Sequence, residues 1–321
     1  MTGCSTSGSD ITILIGMNLK TKLTNYRNNP RQSVLNQFEK SAPIVPDKLY
    51  LRIKFFLRTG ERLHLKHPRT YNEKIQWLKL YGRQPINKVM ADKYLVKKYI
   101  AERLGENYVI PLLGVWDSPD EIDFDSLPDK FVLKCNHNSG GGMCICTDKA
   151  KLDIEKVKAG LREGLKEDYF IISRENAYKG IPRKVIAEAF MEDSTTKDLR
   201  DYKFFCFNGE PKVLFVATGR EIGEHEVKFD FFDMDYNHLP ITNGHPNSNP
   251  YPVKPQSFEE MKRLAAQLSE GMTHVRVDFY EVDGKVYFGE FTFSHWSGMT
   301  PFEPEEWDVI FGDWIQLPYD K

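Results

Sequence analysis

The sequence predicts an α+β fold built on antiparallel sheets. Two tight-turn signals, Asn208-Gly209 and Asp283-Gly284, each stand between apolar runs. Those hairpins alternate with single amphipathic stretches, not with the strand–helix–strand rhythm of a doubly wound parallel sheet. A cluster of small residues, Ser139 to Gly142, joins "KFVLKC" to "GMCICTDK" with no helix between them.

At 321 residues the chain has length for two modest domains. Its 44 Lys and Arg nearly balance 46 Asp and Glu, which excludes the bulk basic charge of a nucleic-acid binder. No apolar run approaches the roughly 18 to 20 residues that span a bilayer. The run "ITILIGM" near the start lacks a preceding basic segment, so it is a poor signal peptide. Five cysteines, mostly inside strand-like runs, fit reduced thiols and a cytoplasmic location. Cys144 and Cys146 share one strand face, as metal ligands or as small buried hydrophobes.

The first 40 or so residues, rich in Asn, Thr, Ser and Lys, read as a partly disordered or accessory arm. In "RTYNEKIQWLKLYG", Thr70 and Glu73 form a capping box. Ile75, Trp77, Leu78 and Tyr81 make the apolar stripe, and Gly82 stops the helix. In "ADKYLVKKYIAERLG", Asp92 caps a second helix with Leu95, Val96, Tyr99, Ile100 and Leu104 inward, Lys93 on its first turn and Gly105 at its end. A strand and an acidic loop lead to the glycine hairpin, and a helix follows with Ile154, Val157, Leu161 and Leu165 at helical spacing. Then come the strand "KVIAEAFM", the hairpin "DYKFFCFNGEPKVLFVATGR", a helix near "SFEEMKRLAAQLSEG", and the hairpin "HVRVDFYEVDGKVYFGEFTF".

The glycine loop is neither a Walker A loop nor a dinucleotide fingerprint, because both open a helix and this one returns to a strand. Two readings remain. Either the loop offers backbone N–H groups to an anion while Lys134 supplies charge, or it is a surface hairpin without a ligand.

In the last hairpin, Val275, Val277 and Phe279 alternate with Arg276, Asp278 and Tyr280. A two-residue turn pairs Val282 with Lys285 and sends Glu290 to the face opposite Asp278. A three-residue loop with Gly284 left-handed instead pairs Arg276 with Glu290. The expectation adopted is the three-residue loop, which also puts Val286 and Phe288 on the polar face. Asp278 and Glu290 together then make a site for Mg²⁺ or Mn²⁺, or else Arg276 pairs with Glu290 as a plain ion pair.

Lys93, Lys134 before its glycine loop, Glu188 in "VIAEAFM", and "RVDFY…GKVYFGEFTF" resemble the ATP-grasp superfamily in order and spacing. More closely, "TYNEKIQWLKLY", "ADKY", "DYKFFCFNGEPK" and "GEFTFSHWSGMTPFEPEEWD" resemble the TupA-like ATP-grasp family of bacterial surface-polymer synthesis, from about residue 48 to about 318. The resemblance implies ATP held between two α+β subdomains. In its terms Lys93 and Lys134 contact phosphates, and the loop of Ser139, Gly140, Gly141 and Gly142 closes over them. Glu188, Ala189 and Phe190 read adenine, Asp201 reaches the ribose, and Asp278 and Glu290 bind metal. Arg276 stabilises the transferring phosphoryl group and the tetrahedral intermediate. Lys203 and Arg220 contact phosphate or acceptor, or are plain strand charges.

Where ATP-grasp ligases commonly carry Asn, two residues past the metal-binding Glu, this chain has Thr292, still a neutral oxygen for Mg²⁺. In the loop that follows, His295 reads as a base or donor, and Trp296 as a sugar-stacking face or a loop anchor. His137 and Asn138 read as phosphate contacts or, for Asn138, as a turn former. The implied division is an N-terminal helical region over 1–88, a subdomain with the phosphate loop over 89–185, and the metal-bearing subdomain over 186–321. The N-terminal region reads as too short and too helical in pattern for the Rossmann-like domain that usually precedes ATP-grasp, and the expectation is an elaboration that shapes the substrate entrance.

The function expected is an ADP-forming carboxylate–amine ligase that works through an acylphosphate and joins an amino acid to a carboxylated glycan or polymer precursor. It would be cytoplasmic, with peripheral association with polysaccharide assembly and no nucleic-acid partner. A sugar or glycan kinase on the same scaffold is the alternative, and a nucleotide-binding module without catalysis is a third.

Overall fold

The computed structural model describes residues 30–194, 199–219 and 227–318. Cys4, the run at 11–17 and Arg220 lie outside the described residues.

The helix capped by Thr70 forms as its sequence dictates. Glu73 N donates to Thr70 Oγ1 at 3.2 Å, and a Glu73 carboxylate oxygen accepts from Thr70 N. In chain order the helices are α1 Pro30–Glu39, α2 Asp47–Thr59, α3 Tyr71–Tyr81, α4 Ile86–Ala91, α5 Leu95–Leu104, α6 Ile154–Lys166, α7 Tyr169–Ser173, α8 Phe258–Ser269 and α9 Glu306–Trp314. The strands are β1 Leu112–Trp116, β2 Phe131–Cys135, β3 Cys144–Cys146, β4 Val185–Ala189, β5 Asp201–Phe207, β6 Glu210–Thr218, β7 Lys228–Asp233, β8 His238–Leu239, β9 His274–Val282 and β10 Lys285–Thr292.

Two antiparallel sheets result, ordered β1-β4-β2-β3 and β10-β9-β5-β6-β7-β8. α6 backs the smaller sheet, with Val157 and Leu161 packed among Phe131, Leu133, Cys146 and Val185. Cys144 and Cys146 therefore serve as small apolar groups in this core. β4 is hydrogen-bonded to both β1 and β2, so a division after residue 185 cuts through a strand of that sheet.

The larger sheet is covered on both faces. One face carries Phe204, Val277, Phe279 and Phe291 against α8 and against Val96 and Ile100 of α5. On the other, Phe205, Phe207 and Phe215 meet Tyr71 and Ile75 of α3 and Phe311 of α9. Each fully buried Phe contributes about 1.5–3 kcal/mol relative to exposure. The helix covers only part of that second face, and the charged end of β5, β9 and β10 lies beyond it.

The structure corrects the inner stripes at their margins. Tyr81 is 50% exposed and Leu95 40% exposed, each at a terminus of its helix. Lys93 precedes α5 and sits in a turn, its backbone N–H given to Asn136 O at 3.1 Å. Asp92 Oδ1 accepts from Tyr94 N and Leu95 N, the role read for it from sequence. The N-terminal stretch, read as an arm, forms α1 from residue 30 onward. Together with α2 it packs on the α7 region, where Arg174 donates to Ala42 O and Val45 O and Lys54 to Ile172 O.

The last hairpin overturns the register expectation. Val282 pairs with Lys285, so the turn has two residues, and Asp283 and Gly284 both take positive φ (49° and 73°). That is the turn an Asp-Gly pair favours, since its twist matches the strands. Phe288 pairs with Phe279 and Phe291 with Val277, so Gly289 and Glu290 together oppose Asp278. This one-residue bulge moves the rest of β10 to the other parity, and Thr292 pairs with Arg276. Val286 and Phe288 consequently lie in the core, not on the polar face.

Candidate active site

The smaller sheet contributes cations around one carboxylate. Glu188 on β4 pairs with Val132 of β2, so Lys134 lies diagonal to it on the same face, and Glu188 is bound by Lys134 Nζ at 2.5 Å and by Lys97 Nζ at 2.7 Å. Burial pushes the Glu188 carboxyl up, but the two lysines outweigh it and hold the group below its ordinary value. Lys97, four residues after Lys93 and on the first turn of α5, escaped the sequence reading. Lys93 Nζ donates to Asn138 O. Burial lowers its pKa, and the strongest opposing influence is the Glu290 carboxylate of the other sheet.

The glycine loop is fastened from below. His137 Nε2 bonds Glu167 O at 3.1 Å, and Asn138 Nδ2 reaches Gly141 O, Gly164 O and Glu167 Oε2. Both side chains are buried, so they hold the loop and do not face a phosphate. Gly142 adopts φ 64°, and a Cβ there would lie 2.9 Å from Gly164 Cα and 3.0 Å from Cys135 Sγ. The close approach that demands glycine at this position is α6 itself. Gly140, at φ 92°, has open space around it, and Ser139 beside it is exposed. Ala189 gives its N–H to Pro111 O at 3.0 Å, and Phe190 lies 5.5 Å from Lys130 Nζ. A purine read by this segment would have to use the neighbouring backbone groups.

The larger sheet supplies a dense ion cluster. Arg276 and Asp278, two apart on β9, share a face, and the guanidinium grips the carboxylate through Nε–Oδ1 and Nη2–Oδ2, both 2.7 Å. Lys203, opposite Asp278 in register, bonds Asp278 and also Asp201 at 2.5 Å. Burial pushes the Asp278 carboxyl up, while Arg276 and Lys203 more than reverse this and hold it below its usual range. Arg276 Nη2 also donates to Thr292 Oγ1 at 2.9 Å and approaches Glu290 Oε1 at 3.5 Å. The Glu290 side chain is 44% exposed while those of Arg276 and Asp278 are buried, so Glu290 is the carboxylate the site presents outward.

Two placements differ from expectation. Asp201 is 1% exposed beside Lys203, because β5 is an interior strand flanked by β6 and β9, and it is not open to a ribose. His295 is 3% exposed, with Nδ1 at 2.5 Å from Arg276 Nη1 and Nε2 at 2.8 Å from Asn243 Oδ1. Burial, then the adjacent Arg276 charge, holds its pKa well below the ordinary value. The ring is neutral, accepts from the arginine and donates to the amide, so it orients Arg276 and has no nitrogen left to act as a base. Asn243, in a turn-rich stretch, carried no sequence signal. Trp296 and Ser297 both take left-handed backbone angles (φ 48° and 57°), and Trp296 stays 43% exposed near Phe229 and His245.

The metal donors expected are hard oxygens, which suit Mg²⁺ or Mn²⁺. Among the described residues no group of three or more His, Cys, Asp and Glu forms a metal-holding cluster. The oxygens present are those of Glu290, whose Oε2 has no bonding partner among the described residues, with Thr292 Oγ1 and the committed Asp278 beside it. Hard oxygens of this kind would suit a magnesium ion, with the outward-facing Glu290 as its first protein donor.

Among the described residues no helix is long and apolar enough to cross a membrane. A family model described as TupA-like ATPgrasp matches residues 73–316. No curated protein sequence matches the chain. Similar solved structures include D-alanine–D-alanine ligase from Bacillus anthracis complexed with ATP, at 15% identity and TM-score 0.38, covering 64% of this chain and 55% of that one. D-alanine–D-alanine ligase from Helicobacter pylori has 14% identity and TM-score 0.43, with 79% and 68% covered. N5-carboxyaminoimidazole synthase from Aspergillus clavatus, in complex with ADP and its ribonucleotide, has 12% identity and TM-score 0.37, with 64% and 44% covered. The chain thus spans 55% of the length of the first of these ligases.

Proposed function

This chain belongs to the TupA-like ATP-grasp family, and on that premise we propose that it is an ADP-forming carboxylate–amine ligase. The observation that carries this reading is the meeting of the two sheets' charges. Of the charged groups around Lys93, which is tied to the glycine loop through Asn138 O, the Glu290 carboxylate of the other sheet acts on it most strongly. ATP phosphates lying between them would meet Lys93, Lys134 and the Ser139–Gly142 loop on one side, and Arg276 and Glu290 on the other.

In the reaction a substrate carboxylate attacks the γ-phosphorus, ADP leaves, and the amine displaces phosphate from the acylphosphate to form an amide. Arg276, held by Asp278, Thr292 and His295, is preorganised to stabilise charge on the transferred group and then on the tetrahedral oxyanion. Glu290, with Asp278 and Thr292, would hold Mg²⁺, which when bound screens the phosphate charges. Glu188 sits at the base of the nucleotide site, where its neutralisation by Lys97 and Lys134 keeps both lysines in place. The segment Glu188 to Phe190 flanks the adenine, and Asp201 acts through Lys203.

We place the subdomain border in the 190–200 stretch, keeping β4 with its sheet, and retain residues up to 88 as a helical elaboration. The resemblance of the chain's motifs supports an amino acid and a carboxylated glycan precursor as substrates, made in the cytoplasm for a surface polymer. The kinase alternative needs a base at the acceptor; the buried, doubly bonded His295 does not supply one, which leaves an acidic residue of "FEPEEWD" for that role.

Incubation with ATP, Mg²⁺ and panels of amino acids and uronic acids tests the reading. ADP, inorganic phosphate and product mass are quantified separately. Phosphate rising in step with an amide, and lost in Glu290→Gln, is expected. A phosphorylated sugar with no free phosphate would transfer the assignment to the kinase.

A further inference from the structure

Beyond the nucleotide site, a cavity of about 540 Å³ opens where β9 begins and β10 ends. Its wall includes His274, two residues before Arg276, and Ser294, two residues after Thr292, so it abuts the strands that carry the reaction centre.

Its charge pattern is distinctive. Glu175 lines it and is 4% exposed. Glu175 Oε1 accepts from Ser297 Oγ at 3.0 Å and lies 3.5 Å from Tyr169 OH, whereas Oε2 has no bonding partner among the described residues. Arg83, Lys88 and Lys179 stand at the same cavity, all exposed, and none has an acidic partner among the described residues. Lys79, the remaining basic group, is committed to Ser297 O and Oγ at 2.7 and 2.6 Å. The Lys79 and Lys54 charges already act on Glu175, Lys79 through the shared Ser297 Oγ, and the oxygen left without a donor is open to one more hydrogen-bond donor, an ammonium group among them. Three unpaired cations at the rim call for anions.

We propose that this cavity is the acceptor site of the ligase and takes an amine that also bears carboxylates, with its ammonium group at Glu175 and its carboxylates at Arg83, Lys88 and Lys179. The assignment rests on the ligase reading, because only an enzyme with an amine acceptor needs such a site beside Arg276. The ammonium form binds, and the amine must lose a proton before it attacks. Glu175, whose carboxyl burial pushes up toward the protonated form, is the nearest group to receive that proton. Attack then forms the C–N bond as the C–O bond to phosphate breaks.

Calorimetric titration of the full chain, saturated with a non-hydrolysable ATP analogue and Mg²⁺, tests this with three probes: L-glutamate, glutarate (the same dicarboxylate without the amine) and L-lysine. Glutamate is expected to bind best. Glu175→Gln should weaken glutamate at least tenfold and leave glutarate within about twofold, while Lys88→Glu with Lys179→Glu should weaken both. Analogue binding by each variant, measured first, shows that the fold and the nucleotide site are intact. If the parent chain fails to bind the analogue, the ligase reading falls. If the analogue binds and none of the probes does, or if glutamate binding is indifferent to both sets of substitutions, the acceptor site alone is overturned.

Discussion

Replacing Arg276 with methionine removes the guanidinium that gives Asp278 two bonds of 2.7 Å, in a position where both side chains are buried. Asp278 keeps Lys203, while Thr292 Oγ1 and His295 Nδ1 lose their donor. Removing one partner of a buried pair costs about 3–5 kcal/mol, and the surviving lysine places the expected loss near the lower end, about 3 kcal/mol. Removing both charges is a different perturbation. In Arg276→Met/Asp278→Leu no carboxylate is stranded, Lys203 retains Asp201 at 2.5 Å, and most of the lost stability should return although turnover does not. Urea unfolding of the parent, both single variants and the double variant, with the m-value held constant, measures the four corners of the cycle. A single-variant loss below about 1 kcal/mol, or a double variant whose loss is the sum of the singles, would refute the claim that Asp278 depends on Arg276 for its charge.

Three further expectations follow from the same geometry. Burial holds the His274 pKa down from its ordinary value to about 3, with Tyr71 OH and Cys206 O as its ring partners. The folded state therefore binds fewer protons than the unfolded chain below about pH 6.5. Stability is fully present above that pH and falls by about 1.4 kcal/mol per unit as pH drops toward 3, a slope that unfolding of His274→Gln between pH 7 and 4.5 should lack. Gly142→Val drives a side chain into Gly164 and Cys135 at a positive φ; a loss of about 2 kcal/mol or more, with a weakened ATP dependence, is expected from thermal melts and nucleotide titration. Lys97→Met leaves Glu188 with Lys134 alone. Steady-state kinetics should show a several-fold higher KM for ATP with a smaller change in kcat.

Local chemistry made much of the fold legible. The Thr70–Glu73 capping box, the Asn208-Gly209 turn and the two strands around the glycine loop depend on interactions within a few residues, so the sequence carries them whole. The order of Lys93, Lys134, Glu188, Asp278 and Glu290 was readable for the same reason, as each stands in a short recognisable run. The register of the last hairpin was not. A bulge at Gly289-Glu290 is decided by what lies on each side of the sheet, with Val286 and Phe288 drawn into the core while Glu290 and Thr292 return to Arg276.

By itself, then, the sequence determined the α+β class, the strands and helices with strong local signals, and the family to which the chain belongs. Only the tertiary structure decided which charges neutralise one another. It turned His295 from an expected base or donor into a buried support for Arg276, enclosed Asp201, brought Lys97 to Glu188, and left Glu175 with a free oxygen beside cations that have no acidic partner among the described residues. The physical reason is that a charge takes its role from its neighbours and its burial, and both come from segments far apart along the chain, such as β9 with the turn at Asn243 and α3 with the kink at Ser297.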